Sequence, residues 1–162
     1  PRLWRVMRVH ICAVGRLRTG PERDLYDDYL TRFDRTGRAL ALGPAHLIEV
    51  EDKKGGGMPA EAALLERAIP AGSLICIMDE RGKVQTSPQF ATTLAGWRDQ
   101  GRQDIAFVIG GADGIDPALR ARADASVSFG KMVWPHMLVR VMLAEQLYRA
   151  ASILAGGPYH RV

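Results

Sequence analysis

Apolar residues fall along this chain in two alternating rhythms. Short, nearly unbroken apolar runs recur at residues 8–14 (RVHICAV), 45–50, 73–78 (SLICIM), 104–109 (DIAFVI) and 125–128. Such runs, rich in β-branched side chains, predict five strands. Between them the apolar positions space out at helical intervals. Leu25, Tyr29, Leu30 and Phe33 predict a helix over 21–35, and others follow at 59–69 and from Ser87 to near Gly101. In the third of these, Ser87 suits the N-cap and Pro88 the first helical position. Asp116-Pro117 opens a short helix to about Ala123, and residues 136–155 form the last and longest one. Pro135 fits its first turn, and Gly156-Gly157-Pro158 stops it. Strands alternating with helices predict an α/β class with a mostly parallel sheet. The 162 residues suit one domain over 1–162, with no repeat or linker.

The final helix breaks the usual amphipathic pattern. Glu145, Gln146, Arg149 and Ser152 share one side, but Leu138, Met142 and Ile153 lie on that side too. The opposite side is almost wholly apolar. A helix apolar nearly all round is buried on more than one flank. In so short a chain, a second copy supplies the extra flank, and a homodimer is expected. Arg140 lies amid the apolar residues, where an unpaired charge is costly. It requires either a carboxylate partner or an anionic ligand.

Composition narrows the class. Net charge is +4, and 18 of the 22 basic residues are Arg. That balance permits a nucleic-acid partner and favours phosphate forks over solvated Lys heads. Arg16, Arg18, Arg23, Arg32, Arg35 and Arg38 cluster around the first helix, either as a solvated face or facing RNA. Cys12 and Cys76 sit inside apolar runs and read as buried thiols of a reduced compartment. No run reaches the ~18 apolar residues of a membrane span, and no signal peptide stands out, so the expected location is the cytoplasm. Met7 directly precedes the first strand, so residues 1–6 read as an extension or an unusual start.

Ligands in open α/β sheets bind beyond the carboxyl ends of strands. Three such ends carry candidates: Met78, Gly110-Gly111, and the loop from Phe129 to Trp134. The glycines of IGGADG do not match G-x-G-x-x-G, which weakens a dinucleotide reading. They serve either close ligand approach or turn geometry alone. His10, His46, His136 and His160 lack zinc-like spacing, so no metal is expected. No G-x-S-x-G elbow occurs. His10 and His46 lie in or beside strands and read as structural.

The strings PHMLVRVMLAEQLYRA (135–150) and GGPYHR (156–161) closely resemble the C-terminal signature of the bacterial ribosomal large-subunit RNA methyltransferase H family. That family belongs to the SPOUT superfamily of knotted methyltransferases. Val14-Gly15-Arg16 resembles its first strand end, and Asp79-Glu80-Arg81-Gly82-Lys83 its acidic-x-x-Gly-Lys turn. The resemblance covers nearly the whole chain. It implies a C-terminal trefoil knot, of which periodicity gives no sign. It also implies S-adenosylmethionine (SAM) as methyl donor, held by Met78, Gly110, Gly111, Phe129, Gly130, Lys131, Met132, Val133 and Trp134.

The implied reaction methylates N3 of a pseudouridine in a stem-loop of 23S ribosomal RNA, within the assembled ribosome. The implied catalytic residues are His160 for the imide proton, Tyr159 for stacking on the base, and Arg161 or Arg140 for phosphate or oxyanion. His136 would support the loop. The tail from Pro158 is expected to serve catalysis and not folding. Two other classes stay open. One is a SPOUT methyltransferase acting on transfer RNA, disfavoured because the match runs from TGPE (19–22) to YHR with no appended RNA-binding domain. The other is a non-catalytic, ribosome-associated RNA-binding protein.

Overall fold

A computed structural model describes residues 5–161. The proposed extension lies largely outside them, since residues 1–4 are not described. Five parallel strands form one sheet in the order β2-β1-β4-β3-β5. They are β1 (Met7–Val14), β2 (Leu42–Val50), β3 (Leu74–Val84), β4 (Asp104–Ile109) and β5 (Ala125–Ser128). The helices are α1 (Pro21–Gly37), α2 (Gly57–Ala68), α3 (Ser87–Asp99), α4 (Pro117–Ala121) and α5 (His136–Leu154). The α/β class and the order of elements match the sequence reading.

Strand alternation sorts the core into two layers. Val9, Ile11, Ile105 and Phe107 face the side covered by α1, α3 and α5. Cys12, Ile77, Ala106 and Val108 face the side covered by α2 and α4, where Leu65 and Leu119 pack. Both cysteines are free and buried, and burial pushes each thiol up to about 12. His10 accounts for itself structurally: its Nε2 lies 2.8 Å from Asp104 Oδ1, and its ring stacks on His46.

Three local readings are corrected. The N-cap of α3 is Thr86, not Ser87: Thr86 accepts from the Gln89 N–H while Gln89 accepts from the Thr86 N–H. This reciprocal capping box satisfies two otherwise orphaned donors. Pro135 precedes α5 as its N-cap and supplies no capping side chain. Third, β3 does not stop at Met78. It continues through Asp79-Glu80-Arg81-Gly82-Lys83 to Val84, and Val127 of β5 pairs with both Met78 and Lys83. The chain between those two residues therefore curls closely around β5. A Cβ on Gly82 would lie 2.9 Å from the Val127 backbone, so only glycine fits that crossing.

The flanks of α5 are filled mostly from within the chain. α1 and α3 pack against it, and Leu143, Ala144, Leu147, Ala150 and Ala151 are wholly buried. Its all-round apolarity is thus largely explained without a second copy. Three exposed apolar residues lie consecutively just before it: Met132 is 72%, Val133 81% and Trp134 39% exposed.

Candidate active site

Parallel strands place all their carboxyl ends on one edge, and a cleft of about 690 Å³ opens there at the ends of β3, β4 and β5. Met78, Gly110, Gly111, Phe129, Gly130, Met132, Val133 and Trp134 all line it. Lys131 is exposed and is not among its lining residues. Segments well separated in sequence thus converge on one cavity.

Ser128 ties two of these segments together. Its hydroxyl donates to the Glu80 carbonyl (3.0 Å) or the Gly130 carbonyl (2.9 Å) and accepts from the Gly130 N–H (3.0 Å). The curl around β5 and the 129–134 loop are therefore held in register by one buried side chain.

The glycines act differently from a simple open approach. A Cβ on Gly110 would meet the Gly114 carbonyl oxygen at 2.6 Å, and one on Gly111 would meet Val14 at 3.1 Å and Glu61 at 3.2 Å. Both directions point into the protein; the turn's own backbone requires glycine at 110, whereas at 111 the crowding comes from neighbouring side chains. The turn leaves the backbone at 110–114 on the cleft wall. Behind it, burial and then the charges of Asp113 and Asp52 raise the pKa of Glu61.

Sequence reasoning left Asp79 in a family turn and His136 as loop support, and did not single out Arg120 or Val139, yet all four line the cleft. Asp79 and Arg120 form a charge contact of 2.8 Å on its rim. Arg120 comes from the short α4, which carried no motif. His136 and Val139 of α5 also line the cleft. The rule that ligands sit at strand ends pointed to this edge but could not name helix residues that reach it.

The four proposed catalytic residues are not gathered here. Arg140 is wholly buried, with Nη1 donating to Glu49 Oε2 (2.7 Å) and Nη2 to the carbonyls of Val14 (2.9 Å) and Gly15 (2.8 Å). Of the two partners its burial required, the structure supplies the carboxylate.

Tyr159, His160 and Arg161 follow the far end of α5 in sequence, but Tyr159 and His160 fold back along it to Glu145 and Arg149, about 14–20 Å from His136 along the helix axis. The tail is docked, contrary to the expectation that it takes no part in packing. The Tyr159 hydroxyl donates to Glu145 Oε2 (2.6 Å), and its ring packs 4.6 Å from Tyr148. Arg149 lies over the Tyr159 ring at 4.7 Å and places Nη1 3.1 Å from His160 Nδ1. Burial and the bond to Glu145 raise the Tyr159 pKa. Among the Arg residues around α1, Arg23 and Arg32 pair with Asp27 and Asp28 one turn away.

A parallel α/β sheet with a cleft at its carboxyl edge is the arrangement in which open α/β folds hold small ligands. The family model described as "Predicted SPOUT methyltransferase" matches residues 7–160, and the chain belongs to that methyltransferase family. A relative from Ruegeria sp. (strain TM1040), named "Ribosomal RNA large subunit methyltransferase H", is 76% identical over 156 residues, covering 96% of this chain and 100% of the relative. One of the same name from Cereibacter sphaeroides (strain ATCC 17025) is 67% identical over the same shares. A probable methylase family protein from Haemophilus influenzae shares the fold, with TM-score 0.55 at 11% identity, covering 96% of this chain and 71% of that one.

Proposed function

We propose that this methyltransferase transfers a methyl group from SAM to N3 of a pseudouridine in 23S ribosomal RNA within the assembled ribosome. The observation that carries this reading is the cleft: eight of the nine residues expected to hold SAM line one cavity. Its volume falls within the ~300–1,000 Å³ of small-molecule sites. Met78, Ile109 and Val127 offer apolar walls for a purine ring. The uncapped start of α5 offers backbone N–H donors to a carboxylate. Those features suit a ligand that is a nucleoside at one end and an amino acid at the other. The relatives' printed name, with its large-subunit RNA substrate, supports the target.

When bound, SAM supplies a methyl carbon activated by its adjacent sulfonium. The chain's own work is alignment and exclusion of water. Phe129 to Trp134 and the 110–114 turn fix the donor end, and the Ser128 bonds hold that loop against the curl around β5. The acceptor nitrogen must lose its imide proton, and His160 is the proposed acceptor.

His160 sits against Arg149, about 20 Å along α5 from the cleft residue His136, so the site is completed by a second copy in a homodimer. Exposed Met132, Val133 and Trp134 border the cleft and suit such an interface. The cytoplasm follows from a ribosomal target; no helix among the described residues is long and apolar enough to cross a membrane.

The test is methyl transfer from labelled SAM to intact ribosomes, isolated large subunits and naked 23S RNA. The proposal predicts labelling of one pseudouridine, strongest in assembled particles. Equal labelling of naked RNA removes the ribosome requirement, and labelling of transfer RNA instead replaces the target.

A further inference from the structure

Two buried polar atoms at the head of α5 have no partner among the described residues: His136 Nδ1 and Arg140 Nε. The residues are four apart on one helix, so their side chains share a face. Both also crowd Gly15, where a Cβ would lie 3.5 Å from His136 Cε1 and 3.7 Å from Arg140 Nη2. The other two Arg140 nitrogens are already bonded.

Complementarity decides what each atom must be. Arginine Nε carries a hydrogen and can only donate. A neutral imidazole has one donor and one acceptor nitrogen, whereas imidazolium has two donors. Only the form with a bare Nδ1 and a hydrogen on Nε2 offers Arg140 an acceptor, directly or through one bridging water. The opposite tautomer, or the protonated ring, would set two buried donors against each other. Burial and then the Arg140 charge also lower the His136 pKa, which favours the neutral ring.

The outer nitrogen has a different setting. His136 lines the cleft, and its Nε2 makes no hydrogen bond among the described residues. The uncapped N-terminus of α5 opens beside it, adding backbone N–H donors and the positive end of the helix dipole.

We infer that Arg140 fixes His136 as a neutral hydrogen-bond donor, presenting Nε2–H to a negatively charged oxygen of the bound ligand. Two ligand oxygens share that chemistry: the carboxylate of SAM, and the carbonyl oxygen beside the nitrogen being methylated, which gains negative charge as the imide proton leaves. This rests on the proposed reaction for the second source only. His136 is a binding residue in either case, and Arg140 is its positioning residue. The loop-supporting role first expected for His136 is replaced by contact with ligand.

The test separates donor, base and scaffold. Nitrogen-15 NMR of the ligand-free protein should place His136 Nδ1 among unprotonated imidazole nitrogens at neutral pH. A protonated Nδ1 overturns the inference. Glutamine can carry its amide N–H to the Nε2 position, but asparagine reaches only the Nδ1 position. His136→Gln should therefore stay within about threefold of wild type, while His136→Asn should lose about tenfold to a hundredfold, the worth of one hydrogen bond to a charged group. Loss in SAM affinity by calorimetry assigns the carboxylate. Loss in kcat with SAM affinity intact assigns the substrate oxygen.

Equal loss in both variants, at unchanged melting temperature, would mean that His136 accepts a proton and would overturn the donor role. A drop in melting temperature with unchanged binding and turnover would make it a scaffold residue. A wild-type protein that binds SAM yet methylates no ribosomal RNA would refute the proposed function and leave the tautomer result standing.

Discussion

Replacing Arg140 by methionine keeps most of the side-chain volume and removes the guanidinium. Three acceptors then lose a donor: the carbonyls of Val14 and Gly15, and Glu49 Oε2, which keeps only the Leu17 N–H. Removing one member of a buried pair costs about 3–5 kcal/mol. The Glu49 side chain is 27% exposed, so solvent screens part of the stranded charge and the lower end, about 3 kcal/mol, applies. Native stability is typically about 5–15 kcal/mol, so this is a large fraction of it. For a chain of this size each kcal/mol moves the melting temperature by about 2–4 °C, which gives a fall of about 6–12 °C.

Calorimetry and urea titration of Arg140→Met, Glu49→Gln and the double variant measure it. The double variant should lose less than the sum of the two singles, because both remove the same contact. An Arg140→Met protein that melts like wild type would refute this account of the buried guanidinium.

Four other outcomes follow from the same structure. Bonding to Arg8, and secondarily to His10, holds the Asp104 carboxyl below its ordinary pKa. A depressed folded pKa stabilises above the unfolded value and is lost as pH falls through the folded one. Asp104→Asn should therefore be less stable at pH 7 by about 1 kcal/mol, with the gap closing below about pH 4; a gap that widens in acid contradicts this. Tyr159→Phe removes the hydroxyl bonded to Glu145 and should cost about 1 kcal/mol in urea titration, whereas no loss would mean the tail is not docked in solution. Trp134 lines the cleft, so its fluorescence should change on SAM titration and the change should vanish in Trp134→Phe; unaltered emission at saturating SAM would place the ligand elsewhere. Light scattering should give a dimer, and Val133→Glu should weaken it; a wild-type monomer at micromolar concentration would leave the tail without a route to the cleft.

The order of elements was legible because each strand is a compact apolar run, and strand pairing needs no other local signal. Ends were less so. Thr86 and Ser87 are adjacent hydroxyls before Pro88, and either suits a cap by type; only the Gln89 side chain folding back selects Thr86. The continuation of β3 past Met78 was hidden because residues 79–83 are polar and glycine-bearing, like a turn. Its cause is tertiary: β5 offers Val127 to both sides of the curl.

Arg140 illustrates a half-legible residue. Its apolar surroundings demanded a counter-charge, but Glu49 lies 91 positions away on β2. The cleft itself was legible from strand ends and family signature together, apart from Lys131 and the residues arriving from α4 and α5. The docking of Tyr159 against Glu145 depended on the chain reversing at Gly156, which composition signalled only as a helix stop.

The central claim is that this chain methylates large-subunit ribosomal RNA. Mass mapping of methylated nucleosides in that RNA, from cells with and without the protein, tests it most directly. The account predicts one N3-methylated pseudouridine that disappears with the protein and returns when the wild-type chain is restored. An unchanged methylation map of the large-subunit RNA in its absence would contradict the account.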